Sequence, residues 1–150
     1  MWPLRKTKPK GGGVRITVVG DTDTGKVRSH NEDAYQALGG DSSPPGVDAV
    51  LLVADGMGGH AAGEVASEMT VTGVTGILAS EGQESAQLEG PDYRDFLGGV
   101  LERVNEVVYE SAKDPDKNGM GTTCTLAVIK KGQVFLAHIG DSRAYRLRGG

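Results

Sequence analysis

The run Ala54-Asp55-Gly56-Met57-Gly58-Gly59-His60 constrains this chain more than any other stretch. An apolar segment, 49–53, leads into it, and a small-residue segment, 61–67, follows. The pattern predicts a buried strand, a tight glycine turn and then a helix. A carboxylate at the end of a buried strand is costly unless a partner compensates its charge. The glycines around Asp55 let backbone carbonyls and amides approach that partner. A hard cation such as Mg2+ or Mn2+ meets both conditions, because aspartate and carbonyl oxygens are ligands it takes. The simpler alternative is a helix-start turn in which Asp55 bonds nearby amides.

A second polar cluster lies upstream, from Asp21 to Asp33. Glu32 and Asp33 are adjacent carboxylates, with Arg28 just before them. On a strand, neighbours point to opposite faces, so Glu32 and Asp33 would not normally share one ligand sphere. One could bind a metal directly, the other through water or from a neighbouring strand. Arg28 offers a planar fork suited to a phosphate. Metal-binding carboxylates with a phosphate-binding arginine make a set for phosphoester chemistry. A solvated polar loop is the alternative.

A third element is Gly119-Met120-Gly121-Thr122-Thr123, which enters an apolar strand. Lys131-Gly132 turns the chain into another strand, and Gly140-Asp141-Ser142-Arg143 follows. Together with Arg28-Ser29-His30-Asn31-Glu32-Asp33 and Asp55-Gly56-Met57-Gly58-Gly59-His60, these segments resemble the metal-dependent Ser/Thr protein phosphatases of type 2C, in their bacterial form. Any one of the motifs recurs by chance. Four of them stand here in the family's order and span the chain from about Val14 onward.

The resemblance implies a role for each matched residue. Asp55 bridges two Mn2+ or Mg2+ ions, Glu32 and Asp33 support the same binuclear centre, and the Gly56 carbonyl adds a ligand. Arg28 holds the substrate phosphate. His60 protonates the leaving alkoxide, although a polar helix-start residue is the plainer role for it. Asp141 serves a third, weaker metal site. The reaction implied is attack by a metal-bridging hydroxide on phosphoserine or phosphothreonine in proteins, the substrates of a bacterial Ser/Thr kinase. No covalent phospho-enzyme is needed, and nothing around Cys124 marks an activated thiol.

Composition narrows the partners. The net charge of -4 and the pI near 5.3 argue against nucleic-acid binding. No run reaches the length of a membrane span. The single cysteine permits no internal disulfide and fits a reducing, cytoplasmic compartment. Residues 1–13 carry four basic residues and three glycines without an apolar stretch, so they read as a flexible tail. Residues 14–150 then form the domain.

Strands are predicted over 15–20, 33–38, 49–54, 122–129, 134–139 and 143–147. A helix is predicted over 60–78, with Val65, Met69 and Thr72 on one face and Ala62, Ala66 and Ile77 beside them. Gly73 and Gly76 each weaken it by about 1 kcal/mol relative to alanine. Leu97, Leu101, Val104 and Val108 mark a second helix, flanked by Val100 and Val107 and ended by Asp114-Pro115. The loops are 39–46 and 80–90. This order suggests an α+β fold. The resemblance implies two antiparallel sheets packed as a sandwich and flanked by helix pairs. It also implies roughly another hundred residues, on the size expected of such a domain, with two further aspartates. The chain is therefore expected to be an N-terminal portion, incomplete and weakly active or inactive. One alternative is a non-catalytic phosphatase-like binding module. Another is a calcium loop at Asp114-Pro115-Asp116-Lys117-Asn118-Gly119, which lacks the closing glutamate. Asp21-Thr22-Asp23-Thr24-Gly25 imitates such a loop too, with Lys26 at the sharp-turn position.

Overall fold

The computed structural model describes residues 15–58 and 62–149. The expected tail over 1–13 and the residue His60 lie outside the described residues. The elements run β1 (Asp33–Gly39), β2 (Ala49–Met57), α1 (Ala62–Ser80), α2 (Gly82–Ser85), α3 (Gly90–Ser111), β3 (Gly121–Thr122), β4 (Cys124–Lys130) and β5 (Gln133–Ile139). The strands form an antiparallel sheet in the order β1-β2-β4-β5, and β3 pairs with the end of β2. Register places Leu52 between Gln36 and Leu126, and Val50 between Leu38 and Val128. Period-two alternation sends Val50, Leu52, Leu126, Val128 and Phe135 to one face. Helices α1 and α3 cover that face, and the core lies between the two layers. An α+β fold with an antiparallel sheet and a packed helix pair is what the sequence predicts.

The described residues do not form the second sheet. Two of the predicted strands, 15–20 and 143–147, enter no ladder. Both segments have β-compatible residues, but a strand needs a paired neighbour for its backbone groups. Residues 15–20 still keep a strand-like alternation, with Ile16, Val18 and Gly20 half-buried and the residues between them exposed. They lie against β1: a Cβ on Gly20 would fall 2.3 Å from the Tyr35 ring, and one on Gly39 would meet Val18 at 2.9 Å. Elsewhere the sheet's second face shows Leu51, Val53, Val134 and Leu136 to solvent.

Several boundaries moved for local reasons. Strand β2 runs through Asp55 and Gly56 to Met57, because Gly56 and Met57 pair with Thr122 and Gly121. The strand therefore ends at Met57, beyond the end at 54 that the glycine pattern predicts. The strand expected over 122–129 breaks at Thr123, whose N–H donates to the Asp55 carbonyl instead of continuing a ladder. Helix α3 begins at Gly90, well before Leu97, with Pro91 in its first turn where a missing N–H costs nothing. It ends at Ser111, ahead of Asp114-Pro115. The loop predicted over 80–90 holds the short helix α2. At 114–119 the Asp114 carboxylate accepts the Asp116 N–H and caps a 3-10 turn. A strand follows, not the second helix a calcium loop requires.

The buried stripe of α1 is Ala62, Ala66, Thr70, Val74 and Leu78. Val65, Met69 and Ile77 pack only at its margin. Small residues let α1 approach its neighbours closely. A Cβ on Gly73 would meet Val104 of α3 at 3.1 Å, whereas Gly76 faces open space. On α3 the predicted stripe holds for Leu97, Val100, Leu101, Val104 and Val108, but Val107 is exposed.

The core also contains a charge that periodicity does not predict. Lys130 is 2% exposed. Its Nζ donates to the carbonyls of Ser85 (3.0 Å) and Leu88 (2.6 Å), and sits 4.1 Å from the centroid of the Tyr93 ring. Carbonyl dipoles and the π face thus replace water around the ammonium. Burial, with repulsion from Lys131 next, still holds its pKa below the ordinary lysine value. A base whose folded pKa lies below its unfolded one carries the full cost of charging below the folded pKa. That cost fades only as pH rises through the folded pKa toward about 10.4. Lys130→Ala is expected to cost about 3 kcal/mol, from lost stem packing and two orphaned carbonyls. Lys130→Met keeps the stem and should cost less. Urea denaturation from pH 5 to 10 checks both. The stability gap between wild type and Lys130→Met should shift toward the lysine as pH rises through its lowered pKa. The Tyr93 hydroxyl is buried without a hydrogen-bond partner, and burial pushes its pKa up to about 12.

Candidate active site

Strands β1 and β2 place two aspartates opposite each other. Asp33 opens β1 and pairs in register with Asp55 near the end of β2. Alternation puts both side chains on the sheet face away from the helices. Burial raises the Asp33 pKa most, followed by the charge of Asp55 and a hydrogen bond to it. Glu32 adds a smaller push, and Arg28 opposes it. Like charges held this close cost free energy that a bound cation would relieve.

Glu32 does not join that pair. It points the other way from Asp33, as neighbours on a strand do. Its carboxylate accepts a 2.9 Å hydrogen bond from Arg28 and lies against Gly63 at the start of α1. The side chain of Arg28 is 73% exposed, that of Glu32 only 13%. Among the predicted residues, the structure therefore joins Asp33 to Asp55 and Glu32 to Arg28.

The backbone around Asp55 is tightly held. The Asp55 N–H donates to Thr123 Oγ1 at 3.0 Å. Its carbonyl accepts the Thr123 N–H at 2.9 Å and the Thr122 hydroxyl at 3.1 Å. The Gly56 N–H donates to the Glu32 carbonyl at 3.0 Å. Asn31 fixes the other strand, accepting the Asp33 N–H and donating to the Thr22 hydroxyl. None of Thr122, Thr123, Asn31 or Ser142 was assigned a role from the sequence. The available signal was only that short polar side chains at strand starts bond nearby backbone.

Asp141 sits in the turn after β5. Its neighbour Gly140 has φ +105, and a Cβ there would meet the Thr123 side chain at 2.7 Å. The Gly140 carbonyl bonds His138 Nε2 at 2.9 Å, and His138 Nδ1 bonds Thr125. Both ring nitrogens are thereby engaged, in keeping with a structural His138. Cys124 is buried, its thiol pushed up to about 11 by desolvation, which suits a packing residue and not a nucleophile.

Among the described residues, no group of three or more His, Cys, Asp or Glu side chains is placed to hold a metal ion. The Asp33–Asp55 pair is a hard, all-oxygen donor set whose mutual repulsion helps raise the Asp33 pKa, which fits Mg2+ or Mn2+. It supplies only part of an octahedral sphere.

Comparisons with known proteins point to one family. The chain is 40% identical over 129 residues to "Serine/threonine phosphatase stp" of Listeria monocytogenes, covering 85% of this chain and 48% of that protein. The solved serine/threonine phosphatase of S. agalactiae superposes with a TM-score of 0.70 at 35% identity, covering 84% of this chain and 48% of that one. Stp1 from Staphylococcus aureus superposes with a TM-score of 0.72 at 30% identity, covering 92% and 52%. The chain thus spans about half the length of the relatives it matches. Residues 22–150, which include the facing aspartates and the threonine clamp, match the family described as Protein phosphatase 2C, and the chain belongs to that family.

Proposed function

We propose that this chain contributes the Arg28, Asp33 and Asp55 side of a site that hydrolyses phosphoserine and phosphothreonine in proteins. The observation that carries the proposal is Asp33 facing Asp55 in register. When bound, divalent cations at such a site lower the pKa of a water and neutralise phosphate charge. Asp33 and Asp55 would hold Mn2+ or Mg2+, with the Gly56 carbonyl as a further donor. Glu32 supports the site from behind by orienting Arg28 and bonding the Gly56 amide through its own carbonyl. Arg28, at the exposed rim, binds the substrate phosphate. Asp141 would hold a third, weaker cation, and His60 would supply a proton to the leaving oxygen.

The natural substrates in this proposal are proteins phosphorylated by a bacterial Ser/Thr kinase, within cytoplasmic signal transduction. The acidic balance of the chain disfavours nucleic acid as a partner. No helix among the described residues is long and apolar enough to cross a membrane.

The test is Mn2+-dependent phosphate release from a phosphothreonine peptide. Arg28→Ala is expected to raise KM about tenfold or more, the worth of a charge-assisted hydrogen bond. The change in kcat should be smaller. An unchanged KM would remove Arg28 from substrate binding. A second possibility, a non-catalytic phosphatase-like binding module, is favoured by one observation: the described residues assemble two carboxylates, not a full ligand set. Phosphopeptide binding without phosphate release, in a protein carrying the whole family-length domain, would favour it.

A further inference from the structure

Asp55 and Asp141 lie on different elements, yet one side chain touches the supports of both. Thr123 Oγ1 accepts the Asp55 N–H at 3.0 Å and bonds the Ser142 hydroxyl at 2.6 Å. The Thr123 backbone N–H holds the Asp55 carbonyl as well. On the other side, Gly140 packs against the Thr123 side chain too closely for any Cβ. Gly140 and Ser142 flank Asp141, so both neighbours of Asp141 rest on Thr123. Bonds that share one atom polarise and position each other.

We propose that the Thr123–Ser142 hydroxyl pair couples the Asp141 turn to Asp55, so that a change at the turn is felt at the central aspartate. Thr123 and Ser142 are then positioning residues, and the coupling is a regulatory device that rests on the metal-dependent function proposed above. A cation or partner that shifts the Asp141 turn would tighten or loosen Asp55 through two hydroxyls, without touching it. Coupling of this kind is a reciprocal free energy between two sites, and a double-mutant cycle measures it.

Amide hydrogen exchange by NMR reads it directly. Ser142→Ala is expected to speed exchange of the Asp55 amide roughly fivefold, the worth of one neutral hydrogen bond. Ser142→Thr keeps the hydroxyl and should restore the wild-type rate. Thr123→Val should speed exchange further, and adding Ser142→Ala to it should change nothing more. An unchanged Asp55 amide in Ser142→Ala would overturn the coupling, as would strictly additive effects in the double variant. Mn2+ line broadening, run in parallel on the unaltered chain, separates the two levels of the claim. No broadening at Asp33 and Asp55 would overturn the metal assignment, while the exchange rates decide the coupling in either case.

Discussion

Asp55→Asn is expected to abolish Mn2+-dependent release of phosphate from a phosphothreonine peptide by an active protein carrying this sequence. The loss should exceed about a hundredfold, since changing even an outer-shell partner of a metal ligand reaches that range. Asparagine is nearly isosteric, so the clamp from Thr122 and Thr123 to the Asp55 backbone should survive. What disappears is one of two facing charges. The same variant should leave the metal-free fold unchanged or more stable. The Asp33 pKa is raised in the folded chain, partly by Asp55. An acid raised in this way contributes its stability below the ordinary Asp pKa. That contribution is lost as pH rises through the folded value, so above it the charged pair is a cost. Thermal unfolding without metal, beside the activity assay, checks both halves. Retained activity would sink the assignment of Asp55, and a large drop in metal-free stability would show that the substitution broke the fold.

Gly56→Ala should be the most destabilising conservative change in the chain. A Cβ at Gly56 would lie 2.1 Å from the Gly63 carbonyl oxygen and 2.6 Å from that of Glu32. Both are backbone atoms and cannot rotate aside, so β1, β2 or α1 must move. Overpacking of this kind costs about 3 kcal/mol or more, and the movement would separate Asp33 from Asp55. At Gly63 the nearest atom is Glu32 Oε1, the end of a flexible side chain, so Gly63→Ala should cost less. Gly76 faces open space inside α1, and Gly76→Ala should stabilise by about 1 kcal/mol. Urea denaturation of the three variants gives the ranking. A Gly56→Ala protein as stable as wild type would mean that the contact between the end of β2 and the start of α1 is looser than described.

Much of the scaffold was legible in the pattern. The apolar run 49–53, the strands predicted over 33–38 and 134–139 and the helical stripe from Leu97 to Val108 recur as β2, β1, β5 and α3. Less legible was the face of α1. Ala66 and Thr70 are buried while the larger Val65 and Met69 lie at the margin, because a closely packed helix buries its small residues. Lys130 was invisible for a related reason: its cage is built from carbonyls of α2 and the loop after it, and from a ring on α3.

The sequence by itself determined the strand, the glycine passage and the acidic motifs, because local periodicity and glycine placement act over a few neighbouring residues. It also separated Glu32 from Asp33, since adjacent strand residues face opposite ways. Only the tertiary structure decided that Asp33 meets Asp55, because that depends on the register of β1 on β2. It likewise decided that Glu32 holds Arg28 and that Thr123 ties Asp55 to the Asp141 turn. The contact from Thr123 to Asp55 joins residues 68 positions apart, a range over which short-range pattern carries no information.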